Sequence, residues 1–307
     1  MIKSLTVTNY LGDSIKLVLG EPERSGFLIK SITGLGPSKS TINTTEIATN
    51  DGTVFNSSRL SQRNIVIDFI FMETVNHENI EDVRQKSYKY FPIKKVVMLL
   101  IETDNRYVST IGYIESNEPN IFSSQEGSRI SIICPDPYLY SAGEDGYNVT
   151  DFYSIEPIFE FPFSNESLTE NLINFSEIHL NTEGVINYYG DAEIGITIYI
   201  HAVGPATNIG IYNLETRETM KIDTTKIEAL IGSGIKASDD IIIETSKGQK
   251  SITFVRNGEF FNILNCLDKD TDWFSLSKGD NLFAFTAETG ITNLQVRIGN
   301  RIVYEGV

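Results

Sequence analysis

Two cysteines in 307 residues, Cys134 and Cys266, fall far apart in the chain and exclude a disulfide framework, so the fold must stand on its cores. Long apolar runs are also missing. The longest, Val96 to Ile101, is far short of the roughly 20 residues of a membrane-spanning helix and is read as a buried strand. The opening MIKSLTVTNYLGDS lacks the apolar stretch of about 7–15 residues in a secretory signal, which predicts a chain that folds where it is made, without membrane insertion. Basic residues are scarce: 25 Lys and Arg stand against 41 Asp and Glu, a net charge of -16. Such a surface repels phosphate backbones and argues against sequence-specific nucleic-acid binding.

The usual players of catalysis are missing too. No G-x-S-x-G elbow occurs, and His179 and His201 lie apart from each other and from either cysteine. HENIE at His77 to Glu81 begins like a zinc motif but has Glu81 where the second histidine belongs; it reads better as the acidic start of a helix. GLGPSKS at Gly34 to Ser40 has Thr33 and Ser38 where a phosphate loop needs glycines, so it reads as a turn. Asp268, Asp270 and Asp272 alternate as calcium ligands could, but lack the fixed glycine and distal glutamate. Carboxylate neighbours such as Asp239 and Asp240 are expected by chance among 41 acidic residues. The expectation is a protein with no catalytic residues, cofactor or metal. Trp273, the single tryptophan, is the one candidate for stacking on a sugar, against a plainer role in packing beside Phe274.

What is present is strand periodicity. Ile65, Ile67, Phe69 and Phe71 share one parity, as do Ile196, Ile198 and Ile200, and again Leu294, Val296 and Ile298. Turn pairs such as Asp51-Gly52 and Asn257-Gly258 separate such runs, which is the rhythm of antiparallel sheets. One segment differs: in NHENIEDVRQKSYKYF, Ile80, Val83, Ser87, Tyr88 and Phe91 recur at helical spacing, with Asn76 as the expected N-cap. Its apolar stripe suits either its own sheet or a neighbouring subunit. The length suits two domains. The glycine-bearing polar stretch YSAGEDGYNVTD places them at 1–141 and 151–307, joined by a linker over 142–150.

The first of these domains closes on SIICPDPYLYS, Ser131 to Ser141. Pro135 and Pro137 remove ladder donors and hold Cys134 and Asp136 extended, so the strand ends there in a stiff exit. This segment, with three others, resembles the distal tail protein family of bacteriophages and phage-derived tail particles. The second is the opening MIKSLTVTNYLGDSIKL. The third runs from ITGLGPSKS to RNIVIDFIF, where Gly34, Pro37, Asp51, Gly52, Asn56, Arg59, Arg63 and Asn64 follow the family pattern; Cys134, Pro135, Asp136, Pro137 and Tyr138 continue it. The fourth, looser, is the C-terminal half around NYYGDAEIGITIYIH and DWFSLSKGDNLFAF.

The resemblance implies a mainly β, two-domain protein. Its N-terminal part would be a β-sandwich or split-barrel-like ring domain with one amphipathic helix, and its C-terminal part a galectin-like or carbohydrate-binding-module-like β-sandwich. It also implies a structural role at the distal end of a virion tail made in the bacterial host cytoplasm. There a homohexameric ring would join the tail tube protein to the tail-tip or baseplate hub proteins and leave a channel for DNA. Arg63 and Tyr88 are the candidate inter-subunit residues. The alternative is a tail adhesin that binds host-wall glycan through the C-terminal sandwich.

Overall fold

The computed structural model describes residues 1–48, 51–143, 146–157 and 176–307. It is mainly β and forms two compact units, Met1–Tyr147 with Val303–Val307, and Asn148–Ile302. These differ from the expected division in two places. A strand, Tyr147–Asp151, occupies part of the expected linker, and the last five residues belong to the first unit rather than the second.

In the first unit one antiparallel sheet runs in the order Ser14–Val18, Ile2–Asn9, Val96–Thr103, Tyr107–Asn120, Gly127–Cys134, Arg63–Phe71, Phe27–Thr33. Leu139–Ser141 pairs with Tyr107–Asn120 on one side and with Val303–Tyr304 on the other. The inward parity of these strands, including Ile65, Ile67 and Phe69, forms a single apolar cluster. Rings of Phe27, Phe69, Phe71 and Phe91 meet edge-on or tilted at its centre. The run from Val96 is half-buried, not buried throughout: Val97, Leu99 and Ile101 point in, while Val96 and Met98 point out. Opposite them stand Tyr113 and Ile111, also exposed, so the outer face carries an apolar patch.

Among the described residues two α-helices belong to this unit: α1 (Pro22–Ser25) is a single turn, and α2 (Ile80–Tyr90) is the amphipathic segment. The N-cap of α2 is Asn79, not Asn76. Its side chain accepts from the Asp82 amide at 3.0 Å, and Asp82 accepts from the Asn79 amide at 3.2 Å, a reciprocal box that outcompetes the earlier asparagine. Val83 and Ser87 are buried against the unit's own core, while Tyr88 is 46% exposed.

The second unit holds two larger sheets. One has six strands, in the order Tyr147–Asp151, Leu294–Arg301, Thr197–Ala202, Asp239–Glu244, Ser251–Arg256, Glu259–Asn262. The other has four: Glu183–Tyr188, Gly279–Thr289, Thr207–Asn213, Thr219–Ile222. Leu294 and Val296 from the first sheet and Ile209 and Phe285 from the second line the same small apolar cavity, so the buried faces oppose each other as in a sandwich. A helix that strand periodicity did not reveal, α3 (Thr224–Ile231), starts at the Asp223 cap and stops at Gly232 in the left-handed conformation.

Candidate functional site

The residues singled out from sequence separate into two groups. Gly34, Arg63, Asn64, Cys134, Asp136 and Pro137 lie together in the first unit, with Arg63 and Cys134 buried. Asp51, Gly52, Asn56 and Arg59 lie on a hairpin that stands apart from its sheet.

Arg63 is the centre of the first group, and its place corrects the expectation that it serves an inter-subunit surface. It has the parity of Ile65 and Ile67 and so points inward, where it is 2% exposed. Its Nε donates to the Pro137 carbonyl at 2.9 Å, Nη1 to Gly34 and Gly36 at 2.6 and 2.7 Å, and Nη2 to Glu305 at 2.7 Å. One guanidinium therefore ties together the glycine turn, the proline exit and the C-terminal segment. Burial pushes its pKa down, opposed by the Cys134 thiol and Asp136. Cys134, directly across the ladder, is fully buried, and burial pushes its thiol up, away from reactivity.

The proline exit is fastened from within as well. Asp136 accepts from the Tyr138 amide at 3.0 Å and from the Tyr140 hydroxyl at 2.5 Å, and Ser38 donates to the Pro137 carbonyl at 3.1 Å. Gly34 has φ +85°, and a Cβ there would lie 1.9 Å from the Asn64 carbonyl oxygen. Gly34→Ala is therefore expected to cost about 2–4 kcal/mol from strain plus the clash. Gly52→Ala, at φ +92° with nothing near its Cβ, is the control and should cost about 1 kcal/mol. Urea unfolding of the two variants measures the difference.

The second group lies on a two-stranded hairpin, Ser40–Glu46 with Thr53–Leu60, that joins no larger sheet. Every residue of the two strands is exposed except Leu60, which is half-buried. Asn56 donates to Thr45 at 2.6 Å and Asn43 to Ser57 at 3.0 Å, and Ile42, Val54 and Phe55 are open to solvent. Pro37, also exposed, stands at the root of this arm.

Other candidates disperse. Trp273 is partly exposed, with the Lys250 ammonium 5.3 Å from the ring centroid, so one face of the ring is already covered by a cation. Asp272 accepts from the Thr219 amide at 3.1 Å, and no group of three or more His, Cys, Asp or Glu among the described residues is placed to hold a metal ion. In HENIE, Glu78 accepts from Lys86 and Thr74 ahead of the helix; the Lys86 bond chiefly holds its carboxyl below the usual range. Among the described residues no helix is long and apolar enough to cross a membrane.

Sequence reading missed a second internally bonded arginine, this one half-buried. Arg256 donates to Asp239 through Nε at 2.8 Å and Nη2 at 2.5 Å, and to Ser233 and Gly234 at 2.6 and 2.7 Å. Parity could have found it: Arg256 continues the inward phase of Ile252 and Phe254.

The fold and these residues define a mainly β protein of two compact units, in which Arg63 ties together three segments of the first and a lone hairpin stands exposed. No family model and no curated protein matches the chain. Solved structures do match. The SPP1 Dit protein, a paradigm of the hub adsorption apparatus in Gram-positive infecting phages, is 14% identical; the alignment covers 96% of this chain and 97% of that one at a TM-score of 0.64. Two structures of the phage P2 baseplate in its activated conformation also align. The one with Ca covers 98% of this chain and 99% of its own at 14% identity and a TM-score of 0.46; the one with Sr covers 97% and 98% at 13% identity and 0.45. At such identities the SPP1 Dit match shows a shared fold over the whole chain.

Proposed function

We propose that this protein is a structural component of the distal end of a phage or phage-derived tail, not an enzyme. Six copies would form a ring that joins the tail tube to the tip or baseplate proteins. The observation that carries this reading is the fold shared with SPP1 Dit over both units. The net charge of -16 per chain suits a ring through which DNA passes without sticking.

The exposed arm supports self-association as the means of assembly. A lone two-stranded hairpin is marginally stable in water, and its open edges and exposed Ile42, Val54 and Phe55 call for a cover. A second copy provides one: the outer patch of Val96, Met98, Ile111 and Tyr113 is exposed and apolar, and the arm carries matching side chains. Tyr88, exposed on α2, is a further candidate contact.

The test is solution mass by light scattering with electron microscopy of the same sample. The chain of 34.4 kDa should form a species of about six times that mass, imaged as a ring with a central hole. Ile42→Asp with Phe55→Asp should leave circular dichroism unchanged and shift the sample to monomer. A ring that survives this change would remove the arm from the interface. A native chain that stays monomeric at every concentration, including in the presence of tail tubes, would overturn the ring itself.

A further inference from the structure

The exposed arm and the outer apolar patch of the first unit each end in charge, and the two signs are opposite. On Ser40–Glu46, Ile42, Thr44 and Glu46 share one parity, and Phe55 stands opposite Thr44. Ile42, Phe55 and Glu46 therefore follow one another along one face toward the tip, where exposed Asp51 adds a second carboxylate. On the patch the order is Met98, Val96 and then the turn that carries exposed Lys94 and Lys95. Backbone bonds fix that turn: the Lys94 amide donates to Ile114 at 2.9 Å, the Ile114 amide to Lys95 at 3.2 Å and the Lys95 amide to Pro92 at 3.3 Å. Lys94 is held at φ +65°, a left-handed conformation that lysine rarely adopts and a strain of the kind that collects at binding sites. The Lys95 ammonium rests 5.2 Å from the Tyr10 ring centroid. Among the described residues none of these four charges is in an ion pair within its own chain.

We propose that, in the ring inferred above and resting on that reading, the arm of one copy lies on the patch of the next with Glu46 and Asp51 against Lys94 and Lys95. A purely apolar contact would accept the arm in either direction. The charges select one. With the tip toward the lysines, opposite signs meet; with the arm reversed, its root and the exposed Arg59 would stand beside Lys94 and Lys95. All four charges are at an exposed rim, so they set direction and register, while Ile42, Phe55, Val96 and Met98 supply the apolar area. Arm and patch are different surfaces, which makes the contact heterologous, the kind from which closed rings rather than two-fold dimers are built.

The experiment follows the solution mass of the full chain against concentration, at about 0.1 M salt and at about 1 M. Lys94→Glu with Lys95→Glu, and separately Glu46→Lys with Asp51→Lys, should each raise the midpoint concentration of assembly roughly tenfold at the lower salt. The shift should shrink at the higher salt, where the screening length falls from about 10 Å to about 3 Å. A chain carrying all four substitutions should assemble as the native one does. So should an equal mixture of the two double variants, since each arm then meets a turn of opposite sign. That rescue also shows that the substituted chains fold. Assembly indifferent to both reversals, or a quadruple variant no better than the double ones, would overturn the proposal and leave the ring standing. A native chain that never assembles, with or without tail tubes, overturns both.

Discussion

Arg63→Met should unfold the first unit well before the second. The substitution keeps the aliphatic stem and removes four charge-assisted bonds, to the carbonyls of Gly34, Gly36, Glu305 and Pro137, the last of which keeps only its bond from Ser38. Water cannot replace it at a position 2% exposed. The loss should be about 3–5 kcal/mol, which for a unit of this size lowers the midpoint by about 6–20 °C. Calorimetry resolves this as one transition moving down while the other stays. Deleting residues 303–307 should lower the same transition, because that removes the Glu305 acceptor, the Val303–Tyr304 pairing with Leu139–Tyr140, and the Val307 amide bond to Leu35 at 3.1 Å. A first unit that melts unchanged in both variants would show that the guanidinium is a passenger.

In the second unit the expected result is a change in the sign of a pH response. Burial alone would raise the Asp239 pKa, but the Arg256 guanidinium and the Lys236 amide outweigh it and hold the carboxyl below its ordinary value. A depressed folded pKa means the pair's stabilisation is complete above the unfolded value of about 3.9 and is lost as pH falls through the folded one. Arg256→Met leaves Asp239, 3% exposed, without its counter-ion and should cost about 3–5 kcal/mol near neutral pH. Burial then dominates and raises the folded pKa, so the variant regains part of that loss on acidification as the carboxyl takes a proton. Urea midpoints from pH 7 down to about 4 test this. A deficit that stays constant over that range would mean that Asp239 finds another partner or water once the arginine is gone.

Both arginines were legible in part. Period-two alternation assigned Ile65, Ile67, Phe69 and Phe71, then Ile196, Ile198 and Ile200, and Leu294, Val296 and Ile298 to single faces, and all ten are buried. The same arithmetic puts Arg63, Asp239 and Arg256 inward, since each continues an apolar parity at a strand end. A charge at such a position must be paired, but the partners of Arg63, four carbonyls from 27 to 242 residues away, have no side-chain signature. The hairpin was legible as turn chemistry at Asp51-Gly52, yet its exposure on both faces was not, because alternation reports local periodicity and not what covers each side.

Sequence alone determined the antiparallel strands, the amphipathic helix, the turn glycines and the stop at Pro135 and Pro137, because these depend on side-chain parity and backbone dihedrals within a few residues. Tertiary structure decided the rest. It returned Val303–Val307 to the first unit, turned Arg63 from a surface candidate into an internal tie, and left the arm uncovered. Each of these depends on which distant strands become neighbours, and that choice is set by the burial of whole faces, a property of the assembled sheet rather than of any one strand.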